Sequence, residues 1–367
     1  MKLIKKIGRI LLALLLIALL TVGGYVLYLQ LNYYRIEDNA ALSIRNASEE
    51  TLKTGQSYTA LSYNIGFGAY SPDYSFFMDK GALLGEKETS GKYGKGIDQY
   101  SVVRNTEGIL ATVEKLNADF ILLQEVDEKA HRSYFVNQVE RFESALPAFG
   151  SVFAKNFHSG FLALPLHDMH GAVEAGLLTL SRFHIDSAMR KSLPVDNSFI
   201  TKFFDLDRCL GITRHKVEGG KELVLINAHL SAYDEGGKIR KQQFDLLNNI
   251  ILEEFQRGNY VIVGGDYNHA LAGSKTIYPT KQEVPDWVAE LNAENLNEHA
   301  AVVAADNLSE VPTCRACNIP YEKGVNYTVT VDGFLVTDNV EAKAKNIDAD
   351  FAYSDHNPVL LEFQLKE

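Results

Sequence analysis

The chain has 367 residues, 46% of them hydrophobic and 23% charged, which excludes a disordered protein and allows one large α/β domain or two smaller ones. Net charge is -11, but Lys2, Lys5, Lys6, Arg9 and Arg35 all precede the first acid, Glu37, so residues 37–367 hold 31 basic and 47 acidic side chains. A body with that balance repels polyanions, which argues against tight, sequence-independent nucleic-acid binding, and three cysteines are too few for a disulfide scaffold.

Residues 1–9 are basic, and Ile10 to Leu31 carries no charge. An apolar run of ~20 residues is long enough to cross a hydrocarbon core as a helix. The positive-inside rule keeps residues 1–9 in the cytoplasm, so 10–31 reads as an uncleaved, single-pass transmembrane anchor with the body outside the cytoplasm. Tyr25, Tyr28, Tyr33 and Tyr34 fall where an interfacial aromatic belt belongs. Residues 32–56 are polar and read as a tether, and 57–367 as one catalytic domain.

Ser57 to Asn64 alternates and reads as a strand ending in Asn64. The glycine-rich stretch 65–99 follows as a long loop and a rim of the site. Within it, Phe76-Phe77-Met78 is either an apolar contact surface or the loop's own small core. Tyr100 to Leu116 has helical spacing, and Asp119 to Val126 is a buried strand delivering Glu125. A carboxylate after an apolar run is poorly explained as packing, since lone carboxylates are rarely buried. Residues 132–145 suggest a helix, and 152–157, 173–180 and 183–189 suggest strands. His158, His167 and His170 fit no ligand face and read as solvated loop histidines.

Arg208 to Val217 and Glu222 to Leu230 form a strand pair, the second ending at His229. Gly237 to Phe255 has the pattern of an amphipathic helix. Val261-Ile262-Val263 is a short buried strand, and Gly264-Gly265 ends it where the backbone turns or is approached closely. Asp266, Asn268 and His269 come next. Residues 283–297 look helical; 327–336 is a strand containing Asp332; 340–346 and 359–364 are strands. Cys314-x-x-Cys317 lacks a second ligand pair, so these are incidental thiols or one local disulfide.

Polar groups thus cluster at strand ends: Asn64, Glu125, His229, Asp266 with Asn268, and Asp355 with His356. Such oxygen donors suit Mg²⁺, with Mn²⁺ as a substitute. Imidazoles beside a hard cation suit acid–base work on a phosphoester. Arg182 and Arg208 could meet phosphate oxygens through their forked donors, although surface ion pairing serves equally well.

Seven motifs carry a resemblance: Ser62-Tyr63-Asn64-Ile65, Leu123-Gln124-Glu125-Val126, Leu180-Ser181-Arg182, Asn227-Ala228-His229-Leu230, Gly265-Asp266-Tyr267-Asn268, Val331-Asp332 and Ser354-Asp355-His356-Asn357-Pro358. In kind and order they resemble the endonuclease/exonuclease/phosphatase superfamily, which includes deoxyribonucleases, neutral sphingomyelinases and inositol polyphosphate 5-phosphatases. The resemblance implies a four-layer α/β sandwich, two mixed sheets face to face with flanking helices, and a site at one edge. It implies Glu125 as the main metal ligand, with Asn64 and Asp355 helping. Asp266 and Asn268 would position the attacking water and contact phosphate. His356, oriented by Asp332, would act as base or polarise the phosphoryl oxygen; His229 would stabilise the pentavalent state or protonate the leaving oxygen. Gly333 departs from the aromatic residue many members place after the aspartate, and the 65–99 insertion exceeds that of compact nucleases.

The expectation is a membrane-anchored, metal-dependent phosphoric ester hydrolase acting on a lipid or small organic phosphate. A nuclease is the alternative activity. A catalytically silent binding protein is a third class, and it predicts a missing key side chain, of which there is none. The sequence points to no protein partner.

Overall fold

The computed structural model describes residues 2–232 and 238–367. Two seven-stranded mixed sheets pack face to face. The first runs, edge to edge, Ala40–Ala41, Ser187–Ser192, Cys209–Lys216, Glu222–His229, Tyr260–Asp266, Asp332–Thr337 and Ala300–Val303. The second runs Val340–Asn346, Val359–Leu365, Ser57–Asn64, Phe120–Ala130, Gly171–Ser181, Gly150–Leu162 and Ile44–Arg45.

Each sheet has a parallel pair near its centre, Glu222–His229 beside Tyr260–Asp266 and Ser57–Asn64 beside Phe120–Ala130. A helix connects each pair, as parallel strands require: Lys238–Gln256 in the first and Gln99–Leu116 in the second. Strand alternation sorts the apolar residues into layers. Leu223, Leu225, Phe120 and Leu122 fill the space between the sheets. Val224, Ile226, Val261 and Val263 face outward onto Phe244, Leu247 and Ile251 of one helix. Leu61, Ile121 and Leu123 do the same toward Ile109, Val113 and Phe142 on the other side. Helix, sheet, sheet, helix is the four-layer arrangement expected from the sequence.

Asp98 caps the helix Gln99–Leu116 by accepting from the Ser101 amide, and Ser101 returns a bond to the Asp98 amide. Asn117 ends it in the left-handed region, where Asn is tolerated. The two glycines before Asp266 serve close approach rather than a turn. A Cβ on Gly264 would lie 2.5 Å from both Leu122 and Phe334 side chains, and one on Gly265 would lie 1.9 Å from the Ala228 carbonyl oxygen.

Several expected elements differ. Residues 283–297 form no α-helix; they hold the short strand Ala289–Leu291 and a 3-10 turn at Ala293–Asn295. The predicted 132–145 helix shortens to Gln138–Ala145, capped by Asn137. The strand expected over 183–189 begins only at Ser187. Gly237, the expected start of the amphipathic helix, lies outside the described residues, and the helix runs Lys238–Gln256. The stretch 32–56 is no free tether: Ala40–Ala41 and Ile44–Arg45 extend one edge of each sheet, and Leu52 is fully buried.

Among the described residues one helix, Lys2–Asn32, is long and apolar enough to cross a membrane. Its last turns rest on the body. The Tyr25 hydroxyl accepts from the Ala163 amide at 2.9 Å and donates to the Phe161 carbonyl at 3.1 Å, and Leu29 is buried.

Candidate active site

Both parallel pairs end at the same edge of the sandwich, and loops leaving the carboxyl ends of parallel strands commonly build ligand sites. In the first sheet, His229 pairs with Asp266 and Asp266 with Asp332 on neighbouring strands, so three functional groups stand in one row. In the second, Asn64 pairs with Gln124, and the register shifts between Leu123 and Val126. Glu125 sits in that bulge with φ 54°, a left-handed conformation costing ~1–3 kcal/mol for a residue that is not glycine. The bulge turns the Glu125 carboxylate out of the sheet and toward the first sheet.

A buried polar seam fixes the two rows beneath the site. The Gln124 side-chain amide donates to Asn227 Oδ1 at 2.8 Å across the sheets, and Asn227 Nδ2 donates back to the carbonyls of Leu123 and Leu178 at 3.2 Å each. These motif residues have no role readable from sequence, yet they set the spacing of the groups above them.

Asn64 Nδ2 donates to Asp266 Oδ2 at 3.0 Å and to Glu125 Oε1 at 3.2 Å, so one amide joins the two carboxylates. Its own oxygen accepts from the Gly66 amide at 3.0 Å, which fixes the side chain and leaves that oxygen one further lone pair. His229 Nε2 lies 3.5 Å from Asp266 Oδ2 and 3.9 Å from Glu125 Oε1. His356 Nδ1 bonds Asp332 Oδ2 at 2.7 Å, leaving Nε2 3.8 Å from Asp266 Oδ2. The pair forms with Gly333 in place of an aromatic residue. The Asn268 amide donates to Asp266 Oδ1 at 2.8 Å, and Asn268 Nδ2 to the Leu230 carbonyl at 2.8 Å.

Burial sets the proton affinities. Burial raises Asp266 to about 6, helped by the Asp332 charge and opposed by His356. Burial raises Asp355 to about 7, with His356 opposing and the Glu125 charge adding. Burial alone would lower His356, but the Asp332 carboxylate overrules it and holds the imidazole well above its ordinary value. His229 goes the other way: burial and the positive charges of Arg208 and His356 hold it well below its ordinary value.

Glu125, His229, Asp266, Asp355 and His356 line a cavity of about 540 Å³. Asp266, Asp332 and His356 bring a ligand atom each within 4.8 Å of one another. Within that trio His356 Nδ1 and Asp332 Oδ2 are already engaged with each other at 2.7 Å, which leaves fewer open donor atoms for a cation. The better donor face is Glu125 with Asp355, two carboxylates lining the cavity and close enough that the Glu125 charge helps burial to raise Asp355. Hard oxygen donors of this kind fit Mg²⁺ or Mn²⁺.

The arginines divide. Arg208 is buried, lines the cavity and donates to the Leu230 carbonyl at 2.9 Å. Arg182 is not brought to the site. Ser181 pairs with Phe120 while Gly176 pairs with Val126, so the antiparallel strand carries Arg182 to the opposite end of the sheet. There it bonds Asn117 and lies over the Phe149 ring.

Two cavity arginines escaped the sequence reading. Arg132 grips the fully buried Asp127 with Nε and Nη2, the latter at 2.8 Å, and stacks 3.9 Å over the Phe67 ring. The five-residue spacing from Asp127 gives no regular signal. Arg315 holds the carbonyls of Tyr70 and Ser71 through Nη2, and its Nε and Nη1 have no protein partner among the described residues.

The 65–99 loop walls the cavity with Phe76, Phe77, Met78 and Asp79, and it has its own aromatic core around Phe67, Tyr70 and Tyr74. His170 is no solvated histidine: it is buried, bonds the Gly94 carbonyl, and burial with the nearby Arg132 charge lowers it to about 3. Cys209, Cys314 and Cys317 are free and buried, so the local disulfide does not form.

Two carboxylates bridged by an amide, a His–Asp pair and a second histidine thus meet on one edge of a four-layer α/β sandwich. The model of the Endonuclease/Exonuclease/phosphatase family matches residues 61–356, and the chain belongs to that family. Among solved structures it is similar to an endonuclease/exonuclease/phosphatase from Beutenbergia cavernae DSM 12333, at TM-score 0.54 and 17% identity over 85% of this chain and 72% of that one. It is similar to an endonuclease/exonuclease/phosphatase family protein from Leptotrichia buccalis C-1013-b, at TM-score 0.54 and 14% identity over 84% and 100% of the two chains. Truncated Caenorhabditis elegans TDP2 aligns at TM-score 0.51 and 16% identity over 85% and 98%. At these identities the likeness shows the fold alone. Curated protein sequences yield no match.

Proposed function

We propose that the chain is a divalent-metal-dependent phosphoric ester hydrolase, held to the cell membrane by Ile10–Leu31 with its catalytic domain outside the cytoplasm, and acting on a lipid or small organic phosphate. The observation that carries this is the Asn64 amide joining the Glu125 and Asp266 carboxylates between two histidines of opposite protonation tendency. Glu125, with Asp355, would hold Mg²⁺ or Mn²⁺, and the cation when bound would neutralise charge on the phosphoryl oxygens.

Asp266 is poised to take a proton from water. Raised to about 6, it is ionised at neutral pH yet more basic than an ordinary carboxylate. The Asn268 amide holds its other oxygen and fixes the aim of the carboxylate. His356, kept charged by Asp332, presents Nε2 as a cationic donor to a phosphoryl oxygen. His229, kept neutral, serves as a hydrogen-bond donor to the pentavalent state more readily than as an acid. Arg208 and Arg315 supply donors along the same wall for the remaining phosphate oxygens.

The acidic body and the anchor favour a lipid or small phosphate over DNA, and nuclease activity is the competing reading. Sphingomyelin, inositol phosphates and plasmid DNA should be assayed in parallel with Mg²⁺, with His356→Ala as control. Hydrolysis of the first two classes is expected; rapid DNA nicking dependent on His356 would transfer the activity to nucleic acid.

A further inference from the structure

We propose that the apolar half of the cavity is a hydrocarbon-chain site opening at the bilayer surface, and that the loops beside the foot of the N-terminal helix form a second membrane contact. This deepens the hydrolase reading and rests on it for the catalytic arm only.

The helix supplies the first argument. Ile10 to Leu29 is 20 residues, which at ~1.5 Å per residue spans the ~30 Å of a hydrocarbon core. The body grips the helix where that span ends: Leu29 is buried, Tyr25 bonds residues 161 and 163, and Tyr28 accepts from the Phe161 amide at 3.0 Å. The end of the strand Gly150–Leu162 therefore stands at interface depth.

The wall that receives the helix is also a wall of the cavity. Phe157 and Leu162 pack with Leu29, Phe204 and Leu206 join that cluster, and all four line the cavity. Glu125, Asp266 and His356, the phosphoester groups, line the same cavity. A polar head and a hydrocarbon chain would be accommodated at once by such a cavity, with the chain directed to the helix foot.

The third argument is the surface around that foot. Leu164 and Leu166 on one loop are 47% and 73% exposed, and Phe199 and Ile200 on another are 57% and 71% exposed. Leu164 and Ile200 also line the cavity, and Phe199 meets Phe203 edge-on, which in turn meets Tyr33 immediately after the helix. Lys202 reaches Gln30 at 2.8 Å, placing a cation where headgroup phosphates would lie. Continuity with an apolar span in the same chain, together with this lysine, favours a lipid surface over a protein partner.

The test uses the full chain in phosphatidylcholine vesicles. Ile200→Trp and Glu341→Trp, the latter on the far edge of the second sheet, are compared over the Trp287 background with chain-brominated lipid as quencher. Quenching confined to Ile200→Trp is expected; equal quenching of the two overturns the membrane contact. Unquenched Ile200→Trp emission that shifts blue with protein concentration marks a second copy as the occupant and overturns it equally. For the chain site, hexadecyl and methyl 4-nitrophenyl phosphate differ only in the hydrocarbon. Vesicle-borne hexadecyl ester should be preferred at least about tenfold in kcat/KM. Leu166→Asp combined with Phe199→Asp should abolish that preference, with methyl ester hydrolysis kept within about twofold. Equal turnover of both esters by the unaltered chain overturns the chain site. If neither ester is cleaved, the hydrolase reading fails, and quenching alone decides the membrane contact.

Discussion

The Asp332–His356 pair gives the sharpest prediction. Asp332→Asn keeps the shape and removes one charge. The bond it weakens is 2.7 Å long, with both partners buried. Charge-assisted bonds of this kind contribute ~1.5–3 kcal/mol. Without the Asp332 charge, burial is the dominant influence left on His356, so the imidazole becomes neutral near pH 7 and loses its cationic donor. If that interaction is felt mainly in the transition state, kcat should fall roughly 10–100-fold with KM changed little. The sign of the pH effect follows from the same contact. His356 is raised in the folded state, so its contribution to stability is fully present below its unfolded value near 6.5 and is lost as pH rises through the folded value. The stability difference between the native chain and Asp332→Asn should therefore be largest at mildly acidic pH and shrink in alkali. Steady-state hydrolysis of a chromogenic phosphodiester with Mg²⁺, and urea titrations from pH 6 to 10, measure both. A kcat within threefold of the native value, or a stability difference that grows with pH, would refute this assignment of the pair.

Glu125→Gln should weaken Mn²⁺ binding at least about tenfold by calorimetry, since one carboxylate charge leaves the donor face. Arg132→Ala should lower stability by ~3–5 kcal/mol in urea, because it strands the fully buried Asp127 carboxylate. Arg182→Ala should leave hydrolysis within about twofold of native, as its guanidinium stands at the wrong end of the sheet. His170→Asn should stabilise the protein at pH 4 by roughly 3 kcal/mol and do little at pH 7.5. A histidine lowered to about 3 takes up a proton on unfolding between its unfolded value and 3, so stability is lost as pH drops through that window and restored as pH rises. Equal acid sensitivity of His170→Asn and the native chain would remove His170 as a source of it.

Most strands were legible because they carry periodic or continuous apolar runs, whereas which strands run parallel is seen only in the structure, where a helix joins each parallel pair. Trp287 shows where local pattern misleads: residues 283–297 have helix-like apolar spacing, yet Pro285 stands inside the stretch and Val288 packs into a satellite cluster with Tyr327 and Val331. The 32–56 stretch looks polar, but Leu42, Ile44 and Leu52 suffice to bind it along the sheet edges. Strand-end placement identified Glu125, His229 and Asp266 as neighbours, but strand direction was missing from the reading of Arg182. Arg132 and Arg315 announce nothing in sequence; only the loop they hold and the cavity behind it give them meaning.

The ordering of the site rests on register more than on any single contact. His229, Asp266 and Asp332 share a row because three strands align at one level, and a slip of one residue would turn each side chain to the other face. That register is held by apolar residues on both faces of Tyr260–Asp266 and by Gly264, whose lack of a side chain lets Leu122 and Phe334 close the gap between sheets. Gln124 and Asn227 then lock the second sheet to the first, one residue below Glu125 and two below the His229–Asp266 row. Gln124→Leu should consequently impair hydrolysis without touching the cavity, because Asn227 Oδ1 loses its donor and the spacing between Glu125 and Asp266 relaxes. A buried bond left half-made costs ~1–3 kcal/mol in stability, whereas the displaced Glu125–Asp266 pair acts on the reaction itself. If Gln124→Leu lowers urea stability by that amount yet retains native kcat and native Mn²⁺ affinity, the seam braces the fold alone and does not position the carboxylates.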